Sequence, residues 1–458
     1  MRKQTLWLYA PLIISIATLS LAASTATAQE FISRMAALQN EEFRQDFIIQ
    51  GEYLFDRNDG YKIGMHLIAN GGGSFRVTAY QGGLPGDGWS RGGVRMQGTA
   101  RVDGDRILFN FTEISGTNPA GETPPFPESM RRELVGNIII EPLQGGGQGA
   151  RPQSAGQGGA RQCPGANFAV RIENIENARA VYVKQFRQSP TLGAEPPEGA
   201  IVIFDGTNLD WFRQGAQMNE QQRGGNTLFG GAATRAFEKR PYRMHIEFML
   251  PFMPQARGQQ RGNSGVYIDE RYELQVLDSF GQEAKDDYCG GFYQLATPLL
   301  NMTFPPLTWQ TYCIYFTPAR WDGDAKIANA RVTVYHNGVL IHDDIELARH
   351  TPGRRDEGPE PLGLFLQRHT GTVQFRNIWL QYQDWAEPVA QTEATLERPT
   401  RRVARSGITV QQPVSAVITV TEAMLEPVVV MVEEVAPQRR RAATQSRPLF
   451  PRLRALFQ

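Results

Sequence analysis

Cysteine is scarce in this chain, with three in 458 residues, and histidine nearly so, with six. Three scattered cysteines (Cys163, Cys289 and Cys313) exclude a disulfide framework, and their spacing matches no zinc site. One bridge is expected at most, with Cys289 and Cys313 the pair that falls in one strand-rich region. Net charge is also missing. Lysine plus arginine (47) equals aspartate plus glutamate (47), which removes the global electrostatic case for a nucleic-acid partner. Beyond the N-terminus no stretch approaches the roughly 20 apolar residues that cross a bilayer.

The N-terminus itself is distinctive. Arg2 and Lys3 precede an apolar run from Leu6 to Ala23, and Ala26-Thr27-Ala28 has the small-residue pattern of a cleavage site. Residues 1–28 are therefore expected to be a signal peptide, with an uncleaved anchor as the alternative, and the rest to be exported to the periplasm or secreted.

Two β-rich units are expected after it. In residues 29–195 a helix is expected over Phe31 to Arg44. Short strand-like runs follow at Gly51, Lys62, Ser74 and Arg106, separated by turns such as Asn58-Asp-Gly and Asn70-Gly-Gly-Gly. This spacing predicts a small antiparallel barrel or sandwich. Residues 144–162 contain only Gln, Gly, Arg, Ala, Ser and Pro, so they predict a flexible insertion. The β-like run Asn167 to Phe186 either completes the first sheet or starts anew. A Pro- and Gly-rich joint near residues 189–199 leads into the second unit, 196–385, with about nine strand-like runs and no helical period. A jelly-roll β-sandwich is the expected fold, and Asn337-Gly338 marks a hairpin within it. Residues 386–458 read as a disordered, Arg-rich tail; an arm touching an anionic surface is the alternative.

The residues that suggest function cluster around Gly262-Asn-Ser-Gly-Val-Tyr-Ile-Asp-Glu-Arg-Tyr-Glu-Leu-Gln-Val-Leu-Asp-Ser-Phe280. Alternation puts Tyr272, Leu274 and Val276 on one face and Glu273 and Gln275 on the other, roughly 6.6 Å apart. The same reasoning pairs His245 with Glu247, and Phe365 with Gln367 and His369. If these polar faces share one hollow, it collects Glu247, Asn263, Tyr267, Asp269, Glu273, Gln275, Asp278, Tyr293, Gln367, His369 and Arg376. Carboxylates, amides, aromatic rings and a guanidinium together suit a polyhydroxylated ligand. A divalent metal is possible, with Glu247, Asp278 and His369 as conceivable ligands. Trp309 and Trp379 read as core rather than sugar platforms, Asp278 equally well as a turn cap, and Asn263 equally well as a turn former.

The second unit resembles the 3-keto-disaccharide hydrolases, a bacterial family with a concanavalin-like jelly roll. The resemblance rests on Phe204-Asp-Gly-Thr-Asn-Leu-Asp-Trp, His245-Ile-Glu-Phe, Gly262-Asn-Ser-Gly-Val-Tyr, Tyr272-Glu-Leu-Gln-Val-Leu-Asp-Ser-Phe-Gly and Asp287-Tyr-Cys-Gly-Gly-Phe-Tyr. It continues through Trp309-Gln-Thr-Tyr, Val332-Thr-Val-Tyr-His-Asn-Gly-Val, Leu366-Gln-Arg-His and Phe375-Arg-Asn-Ile-Trp. The first unit resembles, more loosely, the N-terminal extension of exported planctomycete-type members. Where members often carry Asp-His-Gly, this chain has Arg368-His369-Thr370. The resemblance implies cleavage of glycosides oxidised at C3, by elimination and hydration or by direct hydrolysis. Glu273 and His369 are then the expected acid/base pair, with Arg376, Asn263 and Gln275 orienting the ketone and hydroxyls. A non-catalytic lectin-like module and an envelope-interaction protein stay open as alternatives.

Overall fold

In a computed structural model the protein is described over residues 29–57, 59–125, 133–142, 168–174, 180–213, 215–219 and 225–383. The expected signal peptide, the 144–162 insertion, Cys163 and the 386–458 tail lie outside the described residues. The first unit opens with two short helices, Arg34–Gln39 and Arg44–Ile49, where one was expected. Asn40 breaks the run. It takes extended backbone angles, and its Oδ1 accepts a hydrogen bond from the Phe43 N–H, the local competition that makes Asn a poor helix interior residue.

The strands that follow close into an eight-stranded antiparallel barrel. Going round it, the order is Gly51–Asp56, Val181–Gln185, Phe168–Asn174, Leu134–Pro142, Arg106–Ser115, Arg95–Asp103, Ser74–Gln81 and Lys62–Gly71. Closure leaves no open sheet edge. Phe168–Asn174 hydrogen-bonds to both Leu134–Pro142 and Val181–Gln185, so the strands flanking the Gly-rich segment are neighbours in one barrel. Alternation decides the two faces. Tyr53, Met65, Leu67, Phe75, Val77 and Ile107 fill the interior, whereas Glu52, His66, Thr78 and Tyr80 point outward.

The second unit is a sandwich. Its larger sheet runs Met218–Asn219, Thr227–Phe229, Gln374–Tyr382, Tyr242–Met249, Trp309–Thr317, Ala330–His336 and Val339–Leu347, with Ile201–Phe204 also pairing Gln374–Tyr382. Its smaller sheet runs Ala232–Ala233, Phe365–Leu366, Asn263–Ile268 and Tyr272–Leu277. Between them lies a core that includes Met244, Ile246, Phe248, Val266, Leu274, Val276, Ile314 and Phe375. The hairpin at Asn337-Gly338 forms with both residues at positive φ (52° and 76°).

Cys289 and Cys313 are not bridged; both are buried thiols. Cys289 lies beside the Tyr312 hydroxyl on the core side, while Cys313 contacts His245 Nδ1 at 3.4 Å on the other side of the same strand. Neighbouring residues of a strand face opposite ways, which separates the two sulfurs.

The barrel docks on the sandwich through buried polar contacts. Arg261 Nε donates to Asp278 Oδ2 at 2.6 Å, and its other nitrogens donate to Ala69 O (2.8 Å) and Gln50 Oε1 (3.2 Å) of the barrel. His66 stacks on Phe280 with centroids 4.6 Å apart, and Thr78 Oγ1 donates to Gly281 O at 3.3 Å. Gly281 is required there: its φ is 67°, and a Cβ would sit 2.6 Å from Ile68 Cδ1. Glu52 is also buried at this seam; burial opposes its charge, but the bonded Arg187 and His66 hold its pKa down at about 2.

Removing one member of the Arg261–Asp278 pair should be costly, because both are buried. Arg261→Met is expected to lose ~3–5 kcal/mol in urea unfolding, while the Arg261→Met/Asp278→Leu double variant recovers most of it.

Candidate active site

The strands Asn263–Ile268 and Tyr272–Leu277 form a hairpin with Tyr267 opposite Glu273 and Gly265 opposite Gln275. Their connection is tight. Asp269 and Glu270 both take positive φ (53° and 47°), a conformation costly for residues with side chains. Each side chain is fastened. Asp269 accepts from Arg271 and from the Leu362 N–H, and the buried Glu270 pairs with Arg213 and Arg354.

On the outer face of this hairpin Glu273 is buried, and its Oε2 accepts a hydrogen bond from Tyr267 Oη at 2.9 Å. Gln367 Nε2 reaches the same hydroxyl at 3.4 Å. Phe365 packs on the Tyr267 ring (5.7 Å between centroids), and the Arg354 guanidinium lies 3.9 Å over Phe365. From above, Thr351 Oγ1 accepts from the Glu273 N–H, and Pro352 O lies 3.3 Å from Tyr267 Oη. Gly265 and Gly353 leave the space this needs: a Cβ at Gly265 would come within 2.3 Å of Glu273 Oε1, and one at Gly353 within 2.9 Å of Tyr267 Oη. Phe365, Gln367 and Tyr293 are half-buried and are the surface-facing members of the group.

Residues 199–381 match the family described as the 3-keto-alpha-glucoside-1,2-lyase-like domain. The chain thus carries a 3-keto-disaccharide hydrolase-like domain over these residues, less than half of its length. No curated protein matches the chain. Among solved structures, a Parabacteroides distasonis protein provisionally named a glycosyl hydrolase is 21% identical, over 59% of this chain and 98% of its own, with a TM-score of 0.37. A second from that organism is 17% identical over 41% and 95%, with a TM-score of 0.27. A xylan β-1,4-xylosidase from Bacillus halodurans is 11% identical over 72% and 76%, with a TM-score of 0.20.

Within the hydrolase-like domain the expected hollow divides. Tyr267, Glu273, Gln275, Asn263, Gln367 and Tyr293 do share the outer side of the smaller sheet. Two of them are already engaged by the protein. Asn263 Nδ2 donates to Gln259, and Gln275 Oε1 accepts from the Val276 N–H. Glu247 and Arg376 are elsewhere. They lie on the far face of the larger sheet, bonded to each other at 2.7 Å, with Arg376 stacked 4.1 Å over half-buried Trp309. There Glu247 seats the joint between the units: it accepts from the Gly193 N–H and from Asn377, while the buried Trp379 and Asn377 donate to Ala194 O. Burial opposes the Glu247 charge, but bonds from His245, Asn377 and Gly193 and the Arg376 charge bring its pKa to about 2. Asp278 is consumed by Arg261 at the barrel seam.

His369 departs from the expected alternation. The pairs Val266–Leu366 and Tyr267–Phe365 would bring it opposite Asn263, but Asn263 bridges Thr370 instead. The extra residue leaves His369 exposed, its Nδ1 bonded to Thr370 Oγ1 at 2.9 Å. Four residues along and two strands across separate its backbone from that of Glu273, roughly 16 Å by ordinary strand spacings. The three conceivable metal ligands, Glu247, Asp278 and His369, thus stand in three separate places, and among the described residues no three acidic, His or Cys side chains are grouped to hold an ion. Sequence reasoning missed Thr351, Gly353 and Arg354. They sit in a loop far along the chain, and only its Pro352-Gly353 turn hinted at them.

Burial raises three carboxyls among the described residues, Asp46 and Asp269 to about 6 and Glu273 the furthest. It pushes the Glu273 pKa from 4.5 up to about 7, and the Tyr267 hydrogen bond only partly opposes this. Tyr267 is pushed upward too, by burial and by the adjacent carboxylate, so it keeps its proton. Since the folded protein holds the Glu273 proton more tightly than the unfolded chain, this group's contribution is favourable at low pH. Up to ~3 kcal/mol is lost as pH rises from 4.5 to about 7. Glu273→Gln keeps the shape without the titration. Its stability relative to wild type should climb through that window, read by urea unfolding on either side of it; parallel curves would show a solvated carboxyl.

Proposed function

We propose that the protein cleaves glycosides whose sugar carries a ketone at C3, with Glu273 as the group that moves the proton. The observation that carries this reading is a buried carboxyl, poised near neutrality, whose hydrogen-bond partner on the hairpin is the neutral Tyr267 hydroxyl. The match to a 3-keto-alpha-glucoside-1,2-lyase-like domain supports this choice of substrate class.

A C3 ketone makes the C2 proton acidic. The Glu273 carboxylate takes that proton, and the electron pair moves into an enolate. As the C1–C2 double bond forms, the bond from C1 to the departing oxygen breaks. The Glu273 carboxylic acid returns its proton to that oxygen. Water then adds across the double bond, so the sum is glycoside plus water giving keto sugar plus alcohol. A carboxyl with pKa near the working pH serves both transfers. Tyr267, protonated throughout, orients the carboxyl through its one O–H. Gln367 and Tyr293 line the approach. His369 is assigned to the departing half of the substrate, since its place at the rim is too far for direct proton exchange with Glu273. In this reading the chain acts after export, as its signal-like first 28 residues would direct.

The test is release of alcohol from a 3-keto-glucoside by the full chain. Glu273→Gln should lower kcat by about 10²–10⁴-fold, and wild-type kcat/KM should rise with pH through about 7. No release by wild type, or wild-type rates in the variant, would remove the reading. His369→Ala should raise KM more than it lowers kcat; a collapse of kcat with KM unchanged would return His369 to the proton chemistry.

A further inference from the structure

The proton transfer assigned to Glu273 leaves one developing charge without a donor. When the C2 proton departs, the C–H electron pair forms a C2–C3 double bond and the ketone oxygen becomes an enolate oxygen. A hydrogen-bond donor already in place there lowers the barrier. The donors expected from the sequence are occupied or elsewhere. Arg376 lies on the far face of the larger sheet with Glu247, and Asn263 Nδ2 is held by Gln259. Buried Gln275 turns its amide back to its own strand, with Oε1 on the Val276 N–H. Tyr267 has a single O–H, and Glu273 takes it.

Gln367 meets the requirement. Its backbone is fixed: the N–H donates to Gly265 O at 2.8 Å, and the carbonyl accepts from Ser264 Oγ. The side chain stands half-buried on the outer face, beside the Tyr267–Glu273 pair. Hydrogen bonding decides which way its amide points. The Tyr267 proton goes to Glu273, so the group 3.4 Å from Tyr267 Oη has to donate, which puts Nε2 there and not Oε1. That contact is long, and an amide nitrogen carries two hydrogens, so one N–H is left over. Two links through Tyr267 Oη, of 3.4 Å and 2.9 Å, cap the separation of Gln367 Nε2 from Glu273 Oε2 at their sum. That reach spans the C2 hydrogen and the neighbouring C3 oxygen of one sugar ring. Between the two side chains the sheet is bare at Gly265, where a Cβ would collide with Glu273 Oε1.

We propose that Gln367 is a second catalytic residue, whose free amide N–H holds the ketone oxygen as it becomes an enolate. The assignment rests on the reading of Glu273 as the proton carrier. The electron pair released from the C2–H bond passes through C2–C3 to that oxygen. It returns as the C1–C2 double bond forms and the bond from C1 to the departing oxygen breaks. Gln367 itself gives up no proton. Its hydrogen bond strengthens as charge builds, so it acts on the barrier more than on substrate binding. Half-buried Tyr293 is not on this line. It stands beyond the opposite edge of the hairpin, where its N–H pairs with Glu273 O.

The test separates proton removal from bond cleavage in the full chain. A 3-keto C-glucoside carries carbon where the departing oxygen would be, so uptake of deuterium at C2 from heavy water reads enolate formation alone. Wild type should exchange that position and Glu273→Gln should not. Gln367→Met, close in shape but without the N–H, should exchange about 10²–10³-fold more slowly, the cost of losing one such donor. Its unfolding in urea should match wild type. On the 3-keto-glucoside its kcat should fall with KM nearly unchanged, while the rise of kcat/KM keeps its midpoint at about 7. Wild-type exchange in Gln367→Met overturns the assignment. So does a slow variant whose midpoint has moved, since Gln367 would then act through Tyr267 on Glu273. In both cases a wild type that turns over and a dead Glu273→Gln leave the Glu273 reading standing. A wild type with neither exchange nor alcohol release sinks the two together.

Discussion

The candidate site depends on the register of one hairpin. Tyr267 faces Glu273 because Asn263–Ile268 and Tyr272–Leu277 are joined by two residues at positive φ, and a slip of one residue would send Glu273 into the core and Leu274 to the surface. Asp269 is tolerated at positive φ, but Glu270 is not a natural choice for that turn. Both side chains are bound down, Asp269 by Arg271 and the Leu362 N–H, Glu270 by Arg213 and Arg354. The same contacts carry the Arg354 loop to the site, where Pro352 and Gly353 close over Tyr267. Register and enclosure thus share one set of ion pairs.

Burial by itself does not make a carboxylate reactive. Glu52, Glu247, Glu270 and Asp278 are all buried, and each has an arginine within bonding distance: Arg187, Arg376, Arg354 and Arg261 respectively. At Glu52 and Glu247 the paired charge and bonds outweigh burial and bring the pKa to about 2, whereas at Asp269 burial outweighs Arg271 and raises it to about 6. Glu273 instead meets a neutral phenol, so desolvation wins and its pKa climbs. Asp46 in the barrel is a useful contrast. It too is pushed up by burial, to about 6, but the hydrogen bonds it accepts come from the backbone N–H groups of the Gly72-Gly73 turn. Desolvation plus a polar cluster, not desolvation alone, distinguishes the candidate site.

Alternation made much of this legible in the sequence. It put Tyr272, Leu274 and Val276 on one face, which the structure packs into the core, and Glu273 and Gln275 on the other, and the Asn337-Gly338 hairpin followed from its turn residues. Period-2 reasoning says which face of its own strand a residue occupies. It does not say which of two sheets, or which side of the sandwich, that face belongs to. Glu247 and Arg376 were assigned to the hollow on that missing step. His369 was misplaced for a different reason: a bulge, invisible in the residue pattern, shifts the pairing to Thr370. Arg95–Asp103 and Leu134–Pro142 escaped notice because arginines, glycines and a Gly-rich insertion interrupt their apolar pattern. A closed barrel could not be inferred until those strands were in place.

The barrel is also more than a neighbour to the site. Leu277 ends the strand that carries Glu273, and the next residue, Asp278, is gripped by Arg261, whose remaining donors end on Ala69 and Gln50 of the barrel. Arg261 itself stands two residues before Asn263, at the start of the partner strand. One barrel-anchored guanidinium therefore pins the open end of the hairpin, while Glu270 and its two arginines pin the turn. With both ends fixed, the Tyr267–Glu273 pair is held in its buried place between them, and it is that burial which raises the Glu273 pKa to about 7.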